Sequence, residues 1–407
     1  MAPSVFVYPF PRELTGEYLY DNITSGDHDY HFRGELELLE RFRAYPQAHP
    51  SRATLLLVPF MIVQAFTKLR KGLHSPGHAQ LLKWNDAVIA AMRRHGPWWD
   101  TRRANHAVFA QRCAGPPSDR LRKASIAVGM WPSLWESNAT LLCFEPATLT
   151  HMGRGILIPY GVGHGDNDAR CPGDDDAAAL LEASAGGHYA GAMLAGGLGA
   201  APGSGSGAFD RIARFGRHSS LPRRAFLTFA GSTATNTARR AWVGAMRGLG
   251  EPLCRLLLFD KANRKRFSAR SLEASLQETS FTLQLKGHVG PRKAMFDSIR
   301  CGALLLVASD RSPMPFADSI DYSQFGVQVK EGANATAVVA ALRRQYDEAR
   351  IGRMRSAMLE AASWLDYSAR GRLAEAVLAH FDSVASGRVA AVPPTTHTPL
   401  PVLNLKV

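Results

Sequence analysis

The chain has 407 residues, of which 46% are hydrophobic and 20% charged, and this composition excludes a disordered, a collagen-like or a small disulfide-rich protein. Its length is about right for two domains of roughly 150 to 200 residues each. Lysine and arginine number 48 against 35 acidic residues, and the formal charge of +13 favours anionic partners such as phosphates, acidic glycans, nucleic acid or a membrane surface.

Short apolar runs alternate with amphipathic stretches over residues 1–172. The predicted strands are 4–8, 55–58, the run ATLLCF and the run ILIP, and the predicted helices are 35–43 and 80–95. Such alternation is typical of an α/β domain. Trp98 and Trp99 lie in a predicted loop, where a tryptophan pair is either a core anchor or a stacking platform for a pyranose.

The composition changes abruptly between residues 173 and 221. This segment consists mainly of alanine, glycine, serine and aspartate, and it ends in an arginine-rich stretch without acidic residues. We interpret it as a low-complexity insertion followed by a basic linker.

Strands and helices alternate more regularly in the second half. The predicted strands are 225–230, 255–259, 281–285 and 303–308, and the predicted helices are 238–249, 272–277, 293–301, 335–361 and 371–381. This order is typical of βαβ units in a parallel, Rossmann-like sheet, where ligands bind beyond the carboxyl ends of the strands. We therefore predict a second domain over 222–385. The proline-rich tail, 386–407, is expected to be disordered.

Several sequence signatures are absent. There is no GxGxxG after the first strand of either half, no GxxxxGK[ST], no GxSxG and no HExxH, and the five cysteines form no CxxC pair or zinc-ligand cluster. No metal or cofactor is therefore expected. Nucleic acid is not expected as a partner either, because no RRM, zinc-finger or helix-turn-helix signature accompanies the charge. Without a visible signal or an apolar span, the chain as written is expected to be soluble.

The loop after the strand at 281–285 has the features of an anion site. It leads into a helix that begins near Arg292, whose unpaired amides and positive dipole end would face the loop. The residues predicted around the anion are Lys286, Gly287, His288, Arg292 and Lys293. Such a site suits a diphosphate, and Asp297, one turn further, could accept two ribose hydroxyls. The alternative is a structural loop with surface cations.

Short motifs occur in a fixed order along most of the chain. They are LVPF at 57–60, PWW at 97–99, IPY at 158–160, FAG at 229–231, MFDSIRCGA at 295–303, MPFAD at 314–318 and DYSQF at 321–325. In this order they resemble the motifs of the exostosin-type glycosyltransferases. The FAG element adds Gly231 to the predicted donor-binding residues.

The resemblance implies an α/β fold of the GT-B type, with two Rossmann-like domains facing a cleft. It implies that residues 1–172 bind a glycan acceptor, possibly acidic, and that residues 222–385 bind a nucleotide sugar. The implied reaction is inverting transfer of a sugar, from a donor such as a UDP-sugar, to a polysaccharide or a glycoprotein glycan. It also implies residence in the Golgi apparatus through a membrane anchor, which is not visible in this sequence.

Inversion requires a general base within hydrogen-bond reach of the acceptor hydroxyl. The candidates are His164 and Asp166, in the loop after ILIP, and His106, although each could be an ordinary loop or core residue.

The chain departs from the family pattern at some donor positions. Ala294 stands where the family usually has an arginine, and His288 where it commonly has an acidic, serine or threonine residue. The alternative function is therefore a non-catalytic exostosin-fold subunit that binds carbohydrate or acts as a scaffold.

Overall fold

The computed structural model describes residues 3–21, 33–61, 76–102, 105–112, 139–145, 155–159, 223–233, 237–259, 269–286, 292–309, 314–317, 319–367, 371–385 and 400–405. The chain divides into two compact units. The first comprises Met1–Gly161 with Tyr367–Thr396, and the second comprises Val162–Asp366 with His397–Val407.

The first unit is built on a parallel sheet whose described strands follow one another in chain order. The strands are β1 (Val5–Val7), β2 (Leu55–Val58), β3 (His106–Arg112), β4 (Thr140–Glu145) and β5 (Gly155–Leu157). The described helices before β4 are α1 (Arg12–Thr15), α2 (Gly34–Arg43), α3 (Pro76–Arg94) and α4 (Trp98–Thr101). All four residues of β2 are fully buried, as expected of a continuous apolar run in a sheet that is covered on both faces.

The second unit contains another parallel sheet, with the strand order β10–β9–β8–β6–β7. The strands are β6 (Ala225–Gly231), β7 (Cys254–Leu258), β8 (Thr279–Leu285), β9 (Leu304–Ala308) and β10 (Gly326–Val329). The helices described between and after them are α5 (Thr237–Leu249), α6 (Ala269–Gln277), α7 (Lys293–Arg300), α8 (Ala335–Gln345) and α9 (Glu348–Ala362). The central strands β8 and β9 are buried along their whole length and form the centre of the core.

The strand order reverses at the pair β6 and β8. The chain passes from β6 to β7 on one side, then returns across β6 to β8, and continues outward through β9 and β10. The register confirms that β6 and β8 are direct neighbours, with Leu227 opposite Phe281 and Thr228 opposite Thr282. Such a topological switch point opens a crevice at the carboxyl ends of the two strands, where ligands bind in this class of sheet.

The predicted α/β class, with two Rossmann-like parallel sheets, is confirmed, and the cleft between the domains stays a prediction. Two local predictions are wrong. The predicted helix at 335–361 is two helices, because the side chain of Asp347 accepts a hydrogen bond from the amide of Arg350 and caps a new helix, α9. Residues 98–101, predicted as a loop, form the short helix α4.

The end of the chain also differs from the predictions. The predicted second domain extended to residue 385, whereas the last helix, α10 (Leu373–Ala385), belongs to the first unit. The hydroxyl of Tyr367 anchors this segment there by donating to the carbonyl of Pro159 at 2.5 Å. The predicted insertion, 173–221, lies outside the described residues.

Disorder was predicted for 386–407, and this is wrong for residues 400–405. The amide of Gln328 in β10 donates to Pro401 O at 2.9 Å, and the amide of Leu403 donates to Gln328 O at 3.0 Å. Leu400 and Leu403 are each only 5% exposed. Burial of these two leucines offsets the entropy cost of ordering the segment against the sheet edge.

None of the helices in the described ranges combines the length and the apolar character needed to cross a bilayer.

Candidate functional site

The switch point of the second sheet brings together most of the described residues that were predicted to bind a donor. Gly231 ends β6, Lys286 follows β8, and α7 begins directly after Arg292. These three elements meet at the carboxyl edge of the sheet because β6 and β8 run parallel and side by side. The geometry of this edge decides what could bind there.

Two arginines bridge the strand ends. The Nη2 of Arg292 donates to Ala230 O at 3.0 Å and its Nη1 to Leu285 O at 3.4 Å, so that one side chain joins the ends of β6 and β8. Arg239, from α5, donates from Nε to Lys286 O at 3.1 Å and from Nη1 to Ser232 O at 3.0 Å.

Both guanidinium groups also lie near the ring of Phe229. The guanidinium carbon of Arg239 is 6.0 Å from the ring centre, and that of Arg292 is 5.8 Å from it. Aromatic rings attract cations that approach their face, and the attraction is stronger when the cation is desolvated. Phe229 therefore helps to hold two positive charges at one place.

The electrostatics of this pair favour an anion. Burial, together with the nearby charge of Arg239, lowers the pKa of Arg292 from its usual high value to about 9, against a smaller opposing effect from Asp297. Burial also lowers the pKa of Arg239, which is only 4% exposed. Within the described ranges, Arg292 bonds carbonyl oxygens and forms no salt bridge with a carboxylate. A bound anion would therefore offset the cost of keeping the two cations close together.

Gly231 provides the room that Arg292 occupies. Its φ is 158°, and a Cβ on this residue would lie 2.8 Å from Nη2 of Arg292 and 3.1 Å from Cζ of Phe229. Carbon atoms do not approach other heavy atoms so closely without displacing them. The phenylalanine and the glycine of the FAG element thus both have a direct structural relation to Arg292.

The amino terminus of α7 adds a further positive potential. Arg292 is its N-cap in an extended conformation, and in the described part of the chain no side chain caps the helix. There is also no acidic residue in the first turn. The first amides of a helix lack partners within the helix and carry the positive end of its dipole, so this terminus can accept an anion.

Lys293 and Asp297 form an ion pair with each other. The Nζ of Lys293 lies 2.7 Å from Oδ1 and 2.9 Å from Oδ2 of Asp297, which is only 7% exposed. The spacing of four residues places both on one face of α7. A ribose could use the carboxylate of Asp297 only by sharing it with Lys293 or by displacing Lys293.

Four of the predicted site residues lie outside the described residues: Gly287, His288, His164 and Asp166. Lys286 is exposed beside the switch point, and its backbone carbonyl receives the hydrogen bond from Arg239.

His106, the third candidate base, is a core residue. It is fully buried at the amino end of β3, with Nδ1 3.0 Å from Arg102 O and Nε2 2.8 Å from the hydroxyl of Tyr8. Because a carbonyl can only accept, Nδ1 carries a proton, and in the neutral ring Nε2 accepts from Tyr8. A ring held in this way cannot reach an acceptor hydroxyl.

Of the two alternatives for the tryptophan pair, the structure supports the core anchor at one position. Trp99 is 2% exposed and packs edge-on against His106, with ring centres 5.0 Å apart, so it is a core anchor. Trp98 is partly exposed, and its Nε1 donates to His95 O at 3.0 Å.

Arg239 was not among the predicted donor-binding residues. The signal that could have found it is its place on the apolar stripe of α5, three, four and seven residues before the buried Trp242, Val243 and Met246. An arginine on the buried stripe of an amphipathic helix needs local partners, and here they are the strand-end carbonyls.

Within the described ranges, no group of three or more histidine, cysteine, aspartate or glutamate side chains could hold a metal ion.

Comparison with protein-family models finds no match, and neither does comparison with curated proteins. Among solved structures, a crystal structure of a glycosyltransferase from Rickettsia africae ESF-5 aligns with a TM-score of 0.39 and 8% sequence identity. The alignment covers 94% of this chain and 99% of that chain. The fold class rests on the two parallel sheets themselves.

Proposed function

We propose that the protein is an exostosin-type glycosyltransferase that binds a nucleotide sugar, such as a UDP-sugar, at the switch point of the second sheet. The observation that carries the proposal is the arginine pair, Arg239 and Arg292, beside the amino terminus of α7, which no side chain of the described residues caps. The ordered series of sequence motifs supports the same class of protein. The proposed reaction is inverting transfer of the sugar to a polysaccharide or glycoprotein glycan.

We propose that the two arginines, Gly231 and the first amides of α7 form the site for the diphosphate. The two arginines and the amides of α7 offset its negative charge, and Gly231 keeps the space beside Arg292 open. As the nucleoside diphosphate leaves, charge develops on its phosphate oxygens, and preorganised donors at that place lower the barrier. These groups could stabilise the leaving group without a metal ion.

The remaining roles follow from the sequence. Gly287 and His288 lie in the sequence between β8 and α7, and we propose that they contact the donor. Asp297 would bind ribose hydroxyls once Lys293 turns toward the phosphates. His164 or Asp166 would act as the general base that takes the proton from the acceptor hydroxyl.

One observation favours the alternative, a non-catalytic subunit that binds carbohydrate. Lys293 and Asp297 are already paired, and Arg239 and Arg292 already bond backbone carbonyls. A protein that had lost donor binding could keep these cations for internal bonds alone. It would bind glycan without binding a nucleotide.

A thermal-shift screen with UDP, GDP and their sugar conjugates separates the two functions. Ligand at 100 times its Kd stabilises the folded state by about 2.7 kcal/mol, which raises the melting temperature by several degrees. We expect a UDP-based ligand to give this shift, the double variant Lys293→Ala/Asp297→Ala to lose it, and the exposed control Arg247→Ala to keep it. No shift with any nucleotide, together with a shift by acidic glycan, would favour the non-catalytic subunit.

Passage through an oxidising compartment such as the Golgi apparatus is part of the proposal. Cys143, in the centre of β4, is disulfide-bonded, whereas Cys254 is a buried free thiol. Disulfides persist in secretory compartments and are rare in the cytosol. Asn334, in one of three Asn-x-Ser/Thr sequons, is exposed at the start of α8. Mapping of the disulfide and of glycan on Asn334 in protein purified from its native source tests this assignment.

A further inference from the structure

A cavity of about 310 Å³ lies in the second unit, at the edge of the sheet opposite the switch point. One wall is the turn of 3₁₀ helix Tyr322–Gln324, which directly precedes β10. Another is the first half of α9, which starts after α8 has returned from the carboxyl edge to the amino edge. The cavity therefore lies at the amino edge of the parallel sheet, away from the proposed donor site.

Two arginines on one face of α9 line this cavity. Arg350 and Arg353 are both exposed and are three residues apart, so they point from adjacent turns of the same face. Arg350 donates to Gln345 O at 3.0 Å, and Arg353 forms no hydrogen bond or salt bridge within the described ranges. Both guanidinium groups thus have donors available for an oxyanion.

The position of Arg350 is fixed in advance. Its guanidinium carbon lies 4.2 Å from the centre of the Tyr346 ring, over a side chain that is itself 5% exposed. A guanidinium that stacks on an aromatic face keeps its N–H edge free for bidentate contact with a carboxylate or a phosphate. Because the side chain is already ordered, binding costs less conformational entropy.

The 3₁₀ wall presents hydrogen-bond acceptors. The Oγ of Ser323 donates to Oδ1 of Asp321 at 2.5 Å, and the Nε2 of Gln324 donates to Oδ2 of Asp321 at 3.2 Å. The serine hydroxyl has lone pairs that can accept from ligand hydroxyls, and the side chain of Gln324 has its carbonyl oxygen to accept and one further N–H to donate. This wall therefore suits a partner with several O–H groups.

The floor between the two walls is apolar. It is formed by Met354 and Ala357 of α9 and by Pro401 of the C-terminal segment. The volume is near the lower end of the range for small-molecule sites, so the space suits a ligand of about one sugar ring. A pyranose has an apolar C–H face that could lie on this floor.

We propose that this cavity is a second binding site, specific for a sugar that carries an oxyanion, either a sugar phosphate or a sugar acid. Arg350 and Arg353 bind the anionic group, Ser323 and Gln324 accept from the ring hydroxyls, and the apolar floor contacts the ring. The site is independent of the proposed donor site, because it uses different elements at the other edge of the sheet.

Isothermal titration of the full chain in the presence of excess UDP tests the site with glucose 6-phosphate, glucuronate, neutral glucose and inorganic phosphate. We expect at least one of the two sugar anions to bind. Whichever of them binds more tightly shows whether the site prefers a sugar phosphate or a sugar acid. The double variant Arg350→Ala/Arg353→Ala should weaken that binding about tenfold or more, since hydrogen bonds to charged groups are lost. The matched control Arg343→Ala/Arg344→Ala removes two exposed cations from α8, outside the cavity, and should leave the affinity unchanged.

A second variant tests the contact with the sugar. Gln324→Ala should weaken binding of the sugar anion and leave the weaker binding of inorganic phosphate unchanged. The proposal is overturned if neither sugar anion binds, if both arginine pairs affect the affinity equally, or if inorganic phosphate or neutral glucose binds as tightly as the preferred sugar anion.

Discussion

Substitution of Gly231 by alanine tests the geometry of the switch point. The added Cβ would lie 2.8 Å from Nη2 of Arg292, which at that place donates to Ala230 O at 3.0 Å. The guanidinium must move, and this hydrogen bond from a charged donor is then lost or stretched. The substitution also puts a side chain on a residue with a φ of 158°, which L-amino acids rarely adopt.

The size of the effect follows from these two terms. Backbone strain of this kind costs about 1–3 kcal/mol, and loss of a hydrogen bond from a charged group costs about 1.5–3 kcal/mol. Since the end of an arginine side chain can partly relax, we expect Gly231→Ala to lower the free energy of unfolding by about 3 kcal/mol in all. Urea denaturation of the full chain, followed by tryptophan fluorescence, measures this change in the free energy of unfolding.

Gly250→Ala is the matched control. Gly250 also has a positive φ, 64°, but a Cβ there meets nothing within 4 Å. This variant should therefore be destabilised only by the strain of the left-handed backbone, which lowers the free energy of unfolding by about 1 kcal/mol.

A double-mutant cycle isolates the contact itself. In the Arg292→Ala background the clash is gone, so Gly231→Ala should cost about 1–2 kcal/mol less than it does in the wild type. If the cost is the same in both backgrounds, or if Gly231→Ala is no worse than Gly250→Ala, the close contact between Gly231 and Arg292 is refuted.

The remaining predictions concern the ion pair, the C-terminal segment and the cysteines. Lys293→Ala leaves the carboxylate of Asp297 buried without its cation and should destabilise by about 2–3 kcal/mol, more than Asp297→Asn, which keeps an acceptor; equal urea midpoints would contradict this. Leu400→Ala should cost about 2–4 kcal/mol, because Leu400 is 5% exposed, whereas Val402→Ala, at 73% exposed, should cost less than about 0.5 kcal/mol; similar losses would refute the docking of this segment. Burial raises the pKa of Cys254 from 9.0 to about 11, so its thiol should resist alkylation in the folded protein. Because the thiol ionises at lower pH in the unfolded chain, the contribution of Cys254 to the free energy of unfolding should fall as the pH rises from 9.0 to about 11. Cys254→Ser should remove that part of the pH dependence.

Much of the second sheet could be predicted from the sequence because its strands are continuous apolar runs. The prediction at 303–308 differs from β9, Leu304–Ala308, by one residue. The short strand Gly326–Val329 was missed, since four residues with a glutamine give little periodicity. The break between α8 and α9 was missed because apolar residues continue at helical spacing on both sides of Asp347.

The candidate site could be predicted only in its local part. The helix start at Lys293 and the cations beside it are visible in one stretch of sequence. The bond from Arg292 to Ala230 joins residues 62 positions apart, and the bond from Arg239 to Lys286 joins residues 47 apart. These contacts depend on which strands are neighbours. No local sequence pattern predicts that β6 lies between β7 and β8.

The measurement that tests the central claim most directly is isothermal titration of UDP into the wild type, Arg292→Gln and the exposed control Arg247→Gln. If the switch point holds a nucleoside diphosphate, the wild type and the control should bind UDP with affinities within about twofold of each other, and Arg292→Gln should bind about tenfold more weakly or worse. Failure of the wild type to bind UDP, or equal affinity in Arg292→Gln and the wild type, would contradict the claim.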